Sequence, residues 1–112
     1  MPADDTETLQ DILKAAEAIL QFTRGGSREA LTADEMKLSA VLYQIIILGE
    51  ATRRLSTEFR NRHPEVPWAD IIGMRSIVVH EYDEVDAEEV WAVIERDLPD
   101  LIRKIKAMLQ VS

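Results

Sequence analysis

The chain has 112 residues, 46% of them apolar, no cysteine, and 13 Lys plus Arg against 21 Asp plus Glu, for a net charge of −8. The length and apolar share suit one globular domain, residues 1–112, with a core of its own. The absence of cysteine excludes a disulfide scaffold, a cysteine-ligated zinc or iron–sulfur site and a cysteine nucleophile, and the acidic balance excludes a generic basic coat for nucleic acid while leaving a local basic face open.

The acidic first residues lack the positive flank of a signal peptide. The longest apolar run, Ile45-Ile46-Ile47-Leu48, falls far short of the ~20 residues a membrane helix needs. A soluble, cytoplasmic protein with no membrane contact is expected.

Apolar residues recur at helical spacing, and strict alternation is absent. A first helix is predicted over residues 6–23, where Leu9, Ile12, Leu13, Ala16, Ile19 and Leu20 form one stripe. Asp4 or Asp5 can cap its start, and Gly25-Gly26 ends it. A second helix is expected from near Ala33, with Thr32 and Glu35 in the form of a capping box. Its stripe runs through Val41, Ile45, Leu48, Gly49, Thr52 and Leu55 to Phe59, and Ile46 and Ile47 widen it. That surplus apolar face suggests a second packing partner. Gly49 lowers helix propensity by about 1 kcal/mol, a cost best explained by close helix approach.

His63-Pro64-Glu65-Val66-Pro67 is a break, since neither proline fits a helix interior. Pro67 is placed to open a third helix carrying Trp68, Ile71, Ile72, Met74, Ile77, Val78 and Val79. A fourth begins at the cap-like pair Asp86 and Glu89, and Pro99 should kink or split it. Trp68 and Trp91 sit on apolar stripes as core anchors. The expected fold is an all-α, single-domain antiparallel bundle of four to five helices.

The chemistry-bearing residues cluster at the end of the third helix, in Gly73-Met74-Arg75-Ser76-Ile77-Val78-Val79-His80-Glu81-Tyr82. Arg75 is permanently cationic and can grip a phosphate bidentately. His80 can exchange a proton near neutral pH, and Tyr82 offers a phenolic hydroxyl. These groups suit proton transfer at a phosphodiester with stabilisation of the developing charge. On a continuous helix Arg75 and His80 would lie about 140° apart, so they converge only if the helix ends early, if Arg75 reaches round, or if a second subunit completes the site. His80, Glu81, Asp83 and Asp86 match no metal-ligand spacing, and a hydrated acidic helix start accounts for them. No metal and no cofactor is expected.

Arg75, His80 and Tyr82 match the R-x4-H-x-Y motif, and with it the chain resembles the HepT-like toxins of the HEPN superfamily. Ile47-Leu48-Gly49-Glu50-Ala51, Arg54-Leu55-Ser56, His63-Pro64, Pro67-Trp68, Ile71-Ile72, Val85-Asp86, Trp91 and Leu98-Pro99 follow the same family in order, over roughly residues 9–110. The resemblance implies the toxin of a two-gene toxin–antitoxin pair: a metal-independent endoribonuclease working as a homodimer, with Arg75 and His80 catalytic in a cleft between subunits. It also implies a small nucleotidyltransferase antitoxin that transfers AMP from ATP to Tyr82 and so blocks RNA. Family members commonly place Asn directly after the motif arginine, and often Gly between His and Tyr with an apolar residue after Tyr. Here those positions hold Ser76, Glu81 and Asp83.

Charge is uneven along the chain. Residues 76–100 hold nine acidic residues against Arg96, whereas residues 24–75 are nearly balanced. The acidic block would repel RNA unless it points away from the cleft. Arg53, Arg54, Arg60 and Arg62 could offset it, though at least half of them read as an ordinary solvated face. The alternative to the nuclease is a non-catalytic HEPN module that binds a nucleotide or a nucleotidyltransferase partner. The acidic flank and Ser76 favour it; the intact Arg75 and His80 favour the enzyme.

Overall fold

The computed structural model describes residues 3–76 and 86–111, and all its regular elements are helical. They are α1 (Ala3–Thr23), α2 (Arg28–Ala33), α3 (Glu35–Arg53), α4 (Thr57–Arg62), α5 (Trp68–Gly73), α6 (Ala87–Ala92), a π-helical turn (Val93–Asp97) and α7 (Leu98–Val111). The all-α fold expected from spacing is the one observed. The most extensive packing sets α1 against α3, followed by α1 against α7 and α3 against α5. Leu9, Ile12 and Ile19 of α1, Val41, Ile45 and Leu48 of α3, and Leu98 and Ile105 of α7 are fully buried in one core. Among the described residues no helix is long and apolar enough to cross a membrane.

Helix ends follow local chemistry, in places other than those expected. Asp4 and Asp5 lie inside the first turn of α1 rather than capping it. At its far end Gly25 adopts φ 72°, and the Gly26 N–H donates to Thr23 O at 3.0 Å. A left-handed residue of this kind suits glycine, which has no Cβ to clash. Ser27 caps the short α2, accepting from the Ala30 N–H at 3.1 Å.

The capping box at Thr32 and Glu35 does not form. Thr32 donates back to Arg28 O at 2.9 Å, because α2 already occupies that stretch. Asp34 caps α3 instead, accepting from the Lys37 N–H at 3.0 Å.

The long second helix is also shorter than its stripe. α3 stops at Arg53, and Ser56, with ψ 148°, opens α4. The cause lies far away in sequence. Asp5, only 3% exposed, accepts from the Ser56 N–H at 3.0 Å and the Ser56 hydroxyl at 2.8 Å. Ser56 Oγ in turn accepts from the Phe59 N–H at 3.1 Å. Leu55 and Phe59 stay buried across the break.

Pro67 precedes α5 as expected, and Trp68 anchors it, burying its ring while Nε1 donates to His63 O at 2.9 Å. Asp86 caps α6 by accepting from the Glu88 and Glu89 N–H groups. Trp91 is only partly buried, and its Nε1 donates to Glu95 at 2.6 Å, so it edges the core rather than anchoring it. Pro99 splits the fourth helix through a π turn. It has no N–H for Glu95 O, and the widened turn has the Leu98 N–H reaching Val93 O.

Candidate functional site

The end of α5 carries the arginine of the motif. α5 closes at Gly73, the Met74 N–H reaches only to Ile71 O at 3.2 Å, and Arg75 and Ser76 are helical again. A tightened turn thus separates Arg75 from the helix that the spacing would run straight through it. His80 and Tyr82 lie outside the described residues, as do Glu81, Asp83 and the stretch 77–79 of the expected third helix.

Arg75 and Ser76 point to different tasks. The Arg75 guanidinium donates through Nη1 to the Glu50 carboxylate on α3 and forms an ion pair with it. The pair is open to solvent, with side chains 40% and 43% exposed. Ser76 instead donates its hydroxyl to Gly73 O at 2.7 Å. It also borders a groove of about 350 Å³, with Glu89, Ala92 and Arg96 on the facing wall. A second groove of about 500 Å³ continues it, sharing Asp70, Met74, Arg96 and Asp97 and reaching Arg103 on α7.

α3 lies close to this segment at Gly49. A methyl at that position would stand 3.4 Å from Ile72 O and 3.5 Å from Arg75 Cβ, in ordinary contact. The close helix approach expected at Gly49 is therefore observed, and it sits at the root of Arg75.

The acidic block is partly neutralised by partners. Glu88 pairs with Arg28 at 3.0 Å and Asp97 with Arg96 at 3.3 Å. Asp100 pairs with Arg103 and, at 2.9 Å, with Lys104. The Lys104 ammonium, donating to Asp100, holds that carboxyl below its ordinary 3.8. Lys104 also donates to Glu65 O at 2.8 Å, tying α7 to the loop before α5. Of the four arginines after the second stripe, Arg54 pairs with Asp11 at 3.5 Å and Arg62 with Glu58, which gives them the bland role expected of half the set. Arg60 Nε is buried without a hydrogen-bond partner. His63 is a loop residue, 3.2 Å from Glu65 and with its ring 4.5 Å from that of Phe59. Among the described residues no group of three or more His, Asp or Glu is placed to hold a metal ion.

The apolar surplus of α3 is not where the run at 45–48 suggested. Ile45 and Leu48 are fully buried, and Ile46 and Ile47 are half-buried. The exposed positions are Met36 and Tyr43 on α3, with Phe22 on α1. Met36, Tyr43 and Glu50 are each seven residues apart, so they share a face with a drift of only about 20° per step. One outward stripe of α3 thus starts apolar and ends at the carboxylate that holds Arg75.

The family model described as Ribonuclease HepT-like matches residues 12–108. The chain belongs to this family. A protein of Caldanaerobacter subterraneus subsp. tengcongensis whose name places it among the RNases is 35% identical over 102 residues, covering 91% of each chain. A Thermococcus cleftensis protein named as a ribonuclease HepT is 32% identical over 96% of this chain and 98% of its own. A Methanocaldococcus jannaschii protein, also named as an RNase, is 31% identical over 88% of this chain and 90% of its own. No solved structure matches the chain significantly.

Sequence reasoning placed Arg75 in the site but missed Glu50. The signal was present: Glu50 is the only charged residue between Lys37 and Arg53, within the largely apolar α3.

Proposed function

We propose that this HepT-like protein is a metal-independent endoribonuclease and the toxin of a toxin–antitoxin pair. The observation that carries the reading is Arg75: a guanidinium at the surface, fixed at one end by Glu50, five residues before His80 in a chain matched by the HepT-like model over residues 12–108. Arg75 grips the scissile phosphate and stabilises the charge that develops on its oxygens. His80 takes the proton of the ribose 2′-hydroxyl, whose oxygen forms the new bond to phosphorus. The bond to the 5′-oxygen breaks, that oxygen gains a proton, and a 2′,3′-cyclic phosphate remains. In this reading the histidine of a second subunit supplies the second proton step.

A homodimer accompanies this reading. The outward stripe from Met36 through Tyr43 to Glu50 supports it, since a second copy seated there would border Arg75. Control runs through Tyr82. A small nucleotidyltransferase directs the Tyr82 oxygen to the α-phosphorus of ATP, pyrophosphate leaves, and the bulky adenylate two residues from His80 blocks the RNA path. The whole assembly is cytoplasmic.

Digestion of RNA by the pure protein, with and without EDTA, tests the activity. Cleavage that persists in EDTA and leaves cyclic phosphate ends is expected; cleavage lost on chelation overturns the metal-independent mechanism. With the nucleotidyltransferase and ATP, mass spectrometry should place AMP on Tyr82, and Tyr82→Phe should cut RNA yet escape silencing. AMP on another residue refutes that control.

A second reading, a HEPN module that binds a nucleotide or nucleotidyltransferase without cutting, draws on one observation. The Ser76 hydroxyl is spent on Gly73 O, and its groove carries Asp70, Glu89 and Asp97. Nucleotide binding without any RNA cleavage would favour it.

A further inference from the structure

This inference rests on the ribonuclease reading and concerns how its arginine is aimed. Arginine has a long stem, and its guanidinium is a planar fork of five N–H donors. Left to itself, such a side chain samples many rotamers, and only a few present the fork to a given phosphate. In this fold α3 meets Arg75 at both ends. At the root, the Gly49 backbone lies close enough that a Cβ there would be 3.5 Å from Arg75 Cβ. At the tip, the Glu50 carboxylate accepts from Nη1.

The pair has little to do with stability. Both partners are about two-fifths exposed, and pairs in that setting contribute little to folding because water competes and salt screens. Nor does it raise affinity for RNA, because a carboxylate beside the guanidinium offsets part of the charge that would attract a phosphate. What remains is geometry. With Nη1 engaged, the Nη2 and Nε donors stay available on the fork.

We propose that Glu50 is a positioning residue for RNA cleavage, holding the Arg75 guanidinium through Nη1 so that its remaining donors meet the scissile phosphate. Glu50 does not touch the reacting atoms and acts through Arg75. Its kinetic signature therefore differs from that of a binding residue. Removing it lowers kcat, because a misaimed fork loses transition-state contacts, while KM stays level or falls, because a nearby negative charge has gone.

The test compares Glu50→Ala and Glu50→Gln in the full-length protein. Glu50→Ala should lose about 10- to 100-fold in kcat with no rise in KM. Glu50→Gln keeps an acceptor oxygen at the same reach and should recover most of the rate. An unchanged kcat in Glu50→Ala, or a glutamine variant as slow as the alanine one, overturns the proposal. A second readout needs no RNA. In nitrogen-15 spectra of the free wild-type protein, a held guanidinium gives separate Nη signals for Arg75, which should persist in Glu50→Gln and average in Glu50→Ala. Averaged signals in the wild type overturn the proposal even if a variant fails to fold. Wild-type protein that cuts no RNA while keeping separate signals would instead sink the ribonuclease reading and leave the Glu50–Arg75 hold standing.

Discussion

Two of the polar links between distant parts of this chain differ in what a broken bond would cost. Asp5 and Ser56, 51 residues apart, meet at the edge of the core, where Asp5 is 3% exposed, Ser56 faces solvent, and the hydrogen bonds measure 3.0 and 2.8 Å. Arg75 and Glu50, 25 residues apart, meet at the surface, each about two-fifths exposed. A buried group that loses its partner cannot turn to water, so its loss is felt in stability. An exposed group that loses its partner is rehydrated at once, so its loss is felt only where its direction matters. On the ribonuclease reading, stability and chemistry are thus kept apart, the first at the α1–α4 junction and the second at the end of α5.

The largest effect should come from the motif residues. Arg75→Ala and His80→Ala are each expected to lower RNA cleavage by about 10²- to 10³-fold, and Arg75→Ala should move the melting temperature by no more than a few degrees. A large loss of melting temperature in Arg75→Ala would erase the contrast with Asp5. Full cleavage in either variant would remove the catalytic assignment.

The buried side should show the reverse pattern. Asp5→Ala removes two hydrogen bonds to a carboxylate that is itself buried, at a cost of about 1–3 kcal/mol. That corresponds to a fall in melting temperature of about 5–15 °C in a domain of this size. Cleavage per folded molecule, measured well below the transition, should be retained. A cleavage defect there as severe as that of Arg75→Ala would show that the two regions are coupled.

The smallest effect sharpens the comparison at a second partly exposed pair. The Asp100 carboxyl is held below 3.8 by the ammonium of Lys104. A carboxyl lowered in the folded state favours folding above its unfolded value, and that contribution fades as pH falls through the folded one. Lys104→Met should bring Asp100 back up towards 3.8, as read by carbon-13 titration of the carboxyl, with barely any change in melting. Titration unchanged by the substitution would assign the shift to another cause.

How much of this was legible in the sequence depends on the reach of each interaction. The α1 stripe, the break at 63–67, the Asp86 cap and the split before Pro99 are set by neighbours within a turn or two, and spacing exposed them. The break at Ser56 was not legible, because Leu55 and Phe59 continue the stripe and the deciding carboxylate comes from Asp5. The cap of α3 was placed two residues early because Thr32 and Glu35 satisfy a local pattern that α2 pre-empts. In the candidate site, Arg75 was legible from its motif, but its orientation depends on Glu50 across a helix contact. His80 and Tyr82 rest on sequence, since they lie outside the described residues.

The π turn at Val93–Asp97 has a geometric meaning of its own. A π turn holds one residue more than the α turn it replaces. In unbroken α-helix, the buried residues Val90, Val93, Ile94, Leu98, Leu101, Ile102 and Ile105 would spread over an arc of about 180°. With one residue absorbed, they close to about 120°, a width that a single core face can cover. The turn works as a phase corrector between α6 and α7. Its consequence concerns register: deleting one residue within Val93–Asp97 would leave both halves of the stripe aimed as they are now, with Pro99 still interrupting the hydrogen-bond ladder, whereas the same deletion three residues into α7 would swing everything after it by about 100°.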